Sequence, residues 1–290
     1  MAEDTLSIMY SQNGHEFQDP GVTAAEKEDA LNQLRELISG EMLLECPMDD
    51  AFLIKFLRVR KFDVQNAFNN VKKYFQVRRD NPGIFGNLGP HGFPYDVVCR
   101  VHRLVAVSRK TDPEGRGVVM FKAGGWRPDI CSLNDFFKAS ILVVEHLLLR
   151  EEFQVKGIVV ILDIKHLSPY HLVHYTPSVI RTFVSLGQGV LPVRTKGVYV
   201  INNPALFDVL FAIARTFMKA KLVKRIRLFG YNTEELHKLV PEDVIPEEHG
   251  GTLESYDYDT LKEELIREDS YFQKINAYGY RSTTEESTNL

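Results

Sequence analysis

No stretch of this 290-residue chain reaches the roughly 18 uncharged apolar residues that let a helix span a bilayer. The two greasiest runs are interrupted, "ILVVEHLLL" by Glu145 and His146 and "ALFDVLFAIA" by Asp208. Cysteine is scarce: Cys46, Cys99 and Cys131 are odd in number and widely spaced, with no CxxC. That argues against a disulfide framework and for reduced thiols in the cytosol. The N-terminal "MAEDTLSIMYSQNGHEF" has no signal-peptide core. Neither an N-terminal Met-Gly nor a C-terminal Cys box is present, so no lipid anchor is expected. Charge of one sign is lacking too. A net charge of −4 does not suggest a general nucleic-acid binder, so any basic partner surface must be local. GxxxxGK[ST], GxGxxG after a strand, GxSxG, HExxH and an EF-hand loop are all missing. No catalytic residue is assigned, and the chain is expected not to be an enzyme.

What is present is an ordinary globular composition, 44% hydrophobic and 26% charged, enough for one large or two modest domains. Residues 1–22 read as a flexible leader. From Thr23 to about Arg79 the apolar period is helical, opening on a Thr23–Glu26 capping box. Asp49 or Asp50 is placed to cap a second helix. "DNPGIFGNLGPHGFP" (80–94) has the glycine and proline density of a linker. Helices and strands then alternate. Strands are expected at 116–123, 157–164, 196–202 and 226–230. Helices are expected at 132–152, 176–188, 203–218 (N-cap Asn203, first residue Pro204) and in "NTEELHKLV" with an Asn232–Glu235 capping box. Continuous apolar strands alternating with helices specify an α/β fold with a mostly parallel sheet. Residues 242–269 carry eleven acids against Lys262 and Arg267, and the final "RSTTEESTNL" reads as a disordered tail.

The side chains that could do chemistry are isolated. His171 and His174 form an HxxH with no further ligand beside it, so no metal site is assigned. Asp163 ends a buried strand, where catalytic groups often sit, but no base or nucleophile accompanies it. The simpler reading is that it caps the following "KHLSPY" turn. Trp126 reads as a packing anchor.

The informative segment is "NPALFDVLFAIARTFMKAKLVKRIR" (203–227). Leu206, Leu210, Ile213 and Phe217 share one helical face; Phe207, Phe211, Ala214 and Met218 share the next. A helix apolar nearly all round is buried, lies on a membrane surface, or alternates between the two. Its end is basic: Arg215, Lys219, Lys221, Lys224, Arg225 and Arg227, joined upstream by Arg194 and Lys196. One or two cations would satisfy the helix dipole. Eight beside a greasy helix suit an anionic membrane, unless the acidic tail pairs with them.

Four motifs in order resemble the CRAL-TRIO family: "DDAFLIKFLRVRKFDVQNAFNNVKKYFQVRR" (49–79), "GIVVILDI", "LPVRTKGVYVINNPALFDVLFAIARTFM" and "VIPEEHGGTL" (244–253). Within the family the chain is most similar to the alpha-tocopherol transfer protein branch, related to retinaldehyde-binding protein and clavesin. The resemblance implies a leader (1–22), a helical N-terminal domain with linker (23–94), a lipid-binding α/β domain (95–255) and an acidic C-terminal segment and tail (256–290). It further implies a closed apolar pocket under a mobile gate helix, 203–218.

By the same resemblance, the pocket falls on Phe137, Ser140, Ile158, Val160, Leu162, Tyr175, Phe183, Leu186, Leu191, Val193, Val198, Phe207, Leu210, Ala214 and Met218. Val144 stands where the branch has a second serine, and Tyr175 where it has an aliphatic residue. "GQGVLPV" replaces a stretch containing "DSFPL". A phosphoinositide cleft is implied at Arg60, Arg194, Lys196, Lys221 and Arg225, residue types suited to clustered phosphates. The implied function is a non-enzymatic, monomeric carrier of tocopherol, or of another isoprenoid or a retinoid. It would be cytoplasmic, would need no other cofactor, and would dock reversibly on endosomal or plasma membranes. A phospholipid exchanger of the same fold and a lipid-sensing adaptor are the rival readings.

Overall fold

The computed structural model describes residues 19–281. Three helices open it: α1 (Ala24–Ser39), α2 (Asp50–Val59) and α3 (Val64–Asp80). Each has the side-chain cap its sequence offers. Thr23 and Glu26 form the reciprocal box, Asp49 (not Asp50) caps α2, and Asp63 caps α3. Their apolar stripes meet in an aromatic cluster of Phe52, Phe56, Tyr74 and Phe75, with ring centroids 5.1–6.3 Å apart. The short α4 (Pro82–Phe85) and the buried Leu88 and Phe93 pack the glycine- and proline-rich connection onto the body.

The main sheet has five strands: β2 (Val105–Val107), β3 (Gly117–Phe121), β4 (Ile158–Asp163), β5 (Thr195–Ile201) and β6 (Ile226–Gly230), hydrogen-bonded in that order. β3 through β6 run parallel, and only the edge strand β2 is antiparallel. The helices α5 (Leu133–Leu147), α6 (Glu151–Lys156), α7 (Pro169–His174), α8 (Pro177–Ser185), α9 (Phe207–Phe217), α10 (Ala220–Val223) and α11 (Glu234–His237) fall between or after these strands. This is the mixed α/β architecture expected, with its parallel sheet formed from the apolar runs.

Several local expectations give way to tertiary contacts. The single helix 132–152 breaks at Leu148 into α5 and α6. Asn203 does not cap the gate helix, because its Oδ1 accepts from Gly230 N–H at 3.0 Å at the end of β6. The helix starts at Phe207 instead, without a side-chain cap. Asn232 accepts from Glu234 N–H in a tight turn, so the Asn232–Glu235 box does not form. In the presumed flexible leader, residues 1–18 lie outside the described residues, but Asp19 is fastened. Its carboxylate takes Arg58 Nε at 2.9 and 3.0 Å, and Arg58 is fully buried. A guanidinium removed from water needs such a counter-charge.

The acidic C-terminal segment folds into α12 (Tyr258–Arg267) and α13 (Asp269–Asn276), ending in β7 (Gly279–Tyr280), which pairs antiparallel with β1 (Leu44–Glu45). Residues 282–290, the rest of the presumed disordered tail, lie outside the described residues. The acids of this region have partners of their own: Glu264 with Arg109 at 2.7 Å, Asp243 with Lys110, Glu248 with Arg103 at 3.3 Å, and Glu268 with His146 at 2.9 Å. Among the described residues the acidic segment therefore does not neutralise the basic cluster of 194–227.

The "EEHGG" loop closes over the carboxyl end of β4. Gly250 has φ +86°, and a Cβ on Gly251 would meet Ile245 O at 1.8 Å, so neither position accepts a side chain. His249 Nδ1 then lies 2.7 Å from Asp163 Oδ2, both residues being buried.

Candidate functional site

β4 shows where the site lies. It is the central strand, yet its residues alternate between fully and partly buried. Val159 and Ile161 have no exposure, whereas Val160 and Leu162 are half-buried. A central strand loses full burial on one face only if that face borders a space. The space is a cavity of about 210 Å³ between the sheet, α5, α8 and the gate helix α9. In β5 a register shift opposite Ile158/Val159 places Thr195, Val198 and Val200 all on the cavity wall while Lys196 faces out. Val160 pairs with Val198, and Leu162 with Val200.

All sixteen pocket positions drawn from the resemblance line this one cavity: Phe137, Ser140, Val144, Ile158, Val160, Leu162, Tyr175, Phe183, Leu186, Leu191, Val193, Val198, Phe207, Leu210, Ala214 and Met218. The wall also includes residues not foreseen, among them Phe121, Phe136, Ile180, Thr195, Phe211 and Leu222. Phe211 shares its helical face with Phe207 in the sequence pattern, and the two rings lie 5.7 Å apart and nearly parallel. Among the described residues no charged side chain faces the cavity, and three hydroxyls are the only polar side chains on its wall. Each hydroxyl already donates to backbone: Ser140 to Phe136 O at 2.8 Å, Tyr175 to Ala123 O at 2.6 Å, Thr195 to Gly187 O at 3.1 Å. Burial pushes the Tyr175 phenol up. The wall is therefore neutral and offers acceptors rather than side-chain donors, a surface suited to a hydrocarbon-rich ligand.

The gate helix packs against α8. Phe207 and Leu210 are buried, whereas Asp208, Val209, Ala212, Arg215 and Thr216 face solvent. After Phe217 the backbone turns extended at Met218 and Lys219 before the one-turn α10.

Beside the gate's basic end, Arg60, Arg194, Lys196, Lys221 and Arg225 come together. Burial and crowding of like charge lower the ionisation of several of them. Lys221 is held below the usual lysine range, first by Arg225, then by burial, Lys61, Arg60 and Arg194. Lys196 is lowered by burial and by Arg194 and Arg225. Arg194 donates to Val155 O at 2.9 Å and to Arg58 O, and Arg225 to Thr195 O, so both guanidiniums are tethered to backbone. Among the described residues none of the five has a carboxylate partner within ion-pair distance. Lys61 and Lys73 join them, along with Lys219; burial, Lys219 and Arg60 depress Lys73. Lys61 adjoins Arg60 and Lys219 lies two residues before Lys221, whereas Lys73 is brought to the cleft from α3 by the fold alone. The result is a compact cationic surface.

Other candidates resolve into structure. Burial alone would raise the Asp163 carboxyl, but His249, Asn202 and the Lys165 N–H hold it below the carboxylate range. It is a strand-end cap, as the simpler reading had it. His171 lies within hydrogen-bonding distance of Ser168 and Trp126 O, and His174 packs edge-on to Trp126. No cluster of metal-ligating side chains occurs among the described residues, and none of their helices is long and apolar enough to cross a membrane.

Comparison with known proteins decides the family. The CRAL/TRIO domain model matches residues 102–251, which contain the sheet, the cavity wall and the gate. The chain belongs to the CRAL/TRIO family. It is similar to the human alpha-tocopherol transfer protein-like protein, 34% identical over 242 residues, 83% of this chain and 70% of that protein. It is also similar to Xenopus laevis clavesin-1, 34% identical over 234 residues, 81% of this chain and 70% of the relative. Among solved structures, Sfh5 shares the fold with a TM-score of 0.58 at 13% identity, over 85% of this chain and 92% of that one. The CRAL/TRIO family is one of lipid-binding and transfer proteins.

Proposed function

We propose that this CRAL/TRIO protein carries one hydrophobic small molecule, a tocopherol or a related isoprenoid, and exchanges it at membranes that display phosphoinositides. The observation that carries the reading is the joint placement of a neutral, apolar cavity and a cationic cleft at the two sides of one helix end. The cavity excludes water from a hydrocarbon cargo, and each buried methylene contributes about 0.8 kcal/mol. The cleft presents at least five cations to clustered phosphates, and each cation near an anionic bilayer contributes about 1 kcal/mol. The gate carries the greasy surface between them. Swinging α9 outward would open the cavity towards the same membrane that the cations hold.

The absence of charge on the wall disfavours a phospholipid cargo, whose buried headgroup would need paired partners. Transfer of this kind requires no bond to be made or broken. A retinoid stays as the second cargo, because Val144 and Tyr175 reshape the wall.

The test is a vesicle-to-vesicle transfer assay with a fluorescent tocopherol analogue. Transfer should accelerate when acceptor vesicles contain phosphatidylinositol bisphosphate, and less so at high salt, where exposed charges are screened. Equal rates with and without that lipid would refute the docking half of the proposal. No transfer of any tocopherol or retinoid would refute the carrier half.

A further inference from the structure

Every α-helix leaves its last carbonyls without helical partners. At the end of the gate helix one of these, Phe217 O, is claimed from outside: Gln188 Nε2 donates to it at 2.6 Å. The Oε1 of the same carboxamide accepts from Lys219 N–H at 2.9 Å. One side chain thus grips the backbone on both sides of Met218, the residue where the chain leaves helical geometry. By contrast, the other end of the gate has no side-chain cap.

A latch holds only if its post is fixed. Gln188 sits in the wide turn Leu186–Val190, part of the "GQGVLPV" stretch that departs from the tocopherol branch. Thr195 Oγ1 donates to Gly187 O, and Asn70 Nδ2 donates to Gly189 O at 3.2 Å and Val190 O at 3.0 Å. Asn70 Oδ1 in turn accepts from Arg60 of the cleft at 3.0 Å. The turn is therefore tied to β5 and α3, whereas the gate is tied to the turn through Gln188. A second, weaker tie is Arg181 of α8 over the Phe217 ring at 4.8 Å.

We propose that Gln188 is a positioning residue for cargo exchange, its carboxamide latching the C-terminal hinge of the gate helix in the closed position. The role in exchange rests on the carrier reading above. Gln188 does not line the cavity, so its two bonds stabilise the closed gate equally whether the cavity is loaded or not. That gives a distinctive signature. Loss of the latch raises the open population of both forms by the same factor, so uptake and release accelerate together while Kd stays constant. A pocket residue would move Kd instead. Two hydrogen bonds of ordinary net strength correspond to roughly a 5- to 100-fold change in the opening equilibrium.

The experiment uses the full chain with Gln188→Met, which keeps the side-chain length and loses both bonds, and Gln188→Ala. Hydrogen–deuterium exchange across residues 207–219, without cargo, reads the latch by itself. Stopped-flow uptake and release of the fluorescent tocopherol analogue reads the exchange role. Expected are faster amide exchange at the hinge and a rise of 5- to 100-fold in both rates, with Kd within twofold of the wild type. Unchanged hinge exchange in both variants would overturn the latch. A changed Kd with only one rate moved would overturn it in favour of a pocket-shaping role. If the wild type takes up no analogue, the carrier reading falls and the exchange role with it, while hinge exchange still decides the latch.

Discussion

Val159 and Val160 are neighbours on one strand and should respond to the same substitution with opposite signs. Val159 is fully buried and packs away from the cavity, while Val160 is half-buried and lines it. Val159→Phe forces a ring into a filled space, and overpacking of this kind costs about 1–3 kcal/mol. Val160→Phe sends the same ring into a cavity of about 210 Å³. Cavity filling commonly stabilises by about 0.5–2 kcal/mol. In a chain of this size each kcal/mol moves Tm by roughly 2–4 °C. The Val160 ring also takes space that cargo needs. Displacing three methylene equivalents forfeits about 2.4 kcal/mol, roughly a 50-fold loss of affinity. Melting curves and tocopherol-analogue titrations of the two variants should therefore separate. Val159→Phe lowers Tm and leaves affinity near wild type; Val160→Phe keeps or raises Tm and loses affinity. Equal destabilisation by both, or intact binding by a well-folded Val160→Phe, would show that the cavity is neither open space nor the cargo site.

The combined Lys221→Ala and Arg225→Ala variant should bind phosphatidylinositol bisphosphate vesicles roughly 30-fold more weakly in flotation assays, at ~1 kcal/mol per cation, with cargo Kd unchanged. Because Lys73, Lys196 and Lys221 are depressed in the fold, the unfolded chain binds more protons just below the ordinary lysine range. Stability should thus rise as pH climbs through the lowered values, while vesicle binding falls over the same interval. Asp163 acts in the same sense at the acid end of the scale. Its carboxyl is lowered, so its contribution is complete above the unfolded value of 3.8 and is lost as pH falls through the folded one. Asp163→Ala should cost about 3 kcal/mol in chemical denaturation and flatten the acid limb of the stability profile. Phe207→Asp would place a charge against the cavity wall and should impair loading, as wild-type uptake by that variant would disprove.

What could be read in advance was whatever depends on local pattern. Apolar runs fixed β4, β5 and β6 to within a residue or two, and Thr23–Glu26 announced its helix by composition alone. The cavity wall was legible because its residues are spaced by strand and helix periods. β2 was missed because three residues, Val105–Val107, carry no period. Asn203 was misassigned because Gly230, 27 residues later, outcompetes the helix end for its side chain. Lys73 and Asp19 joined the site or its support through contacts between distant segments, which no window on the sequence contains. Gln188 is the sharpest case, since its role depends on a backbone carbonyl 29 positions away.

The central claim is that the cavity holds one hydrophobic molecule. Native mass spectrometry of the full chain, incubated with tocopherols, retinoids and diacyl phospholipids and followed by organic extraction, tests it most directly. The account predicts a single non-covalent adduct, one tocopherol or other isoprenoid-class molecule per chain, extracted chemically unchanged. A bound diacyl phospholipid, a chemically altered extract, or refusal of every panel member would contradict it.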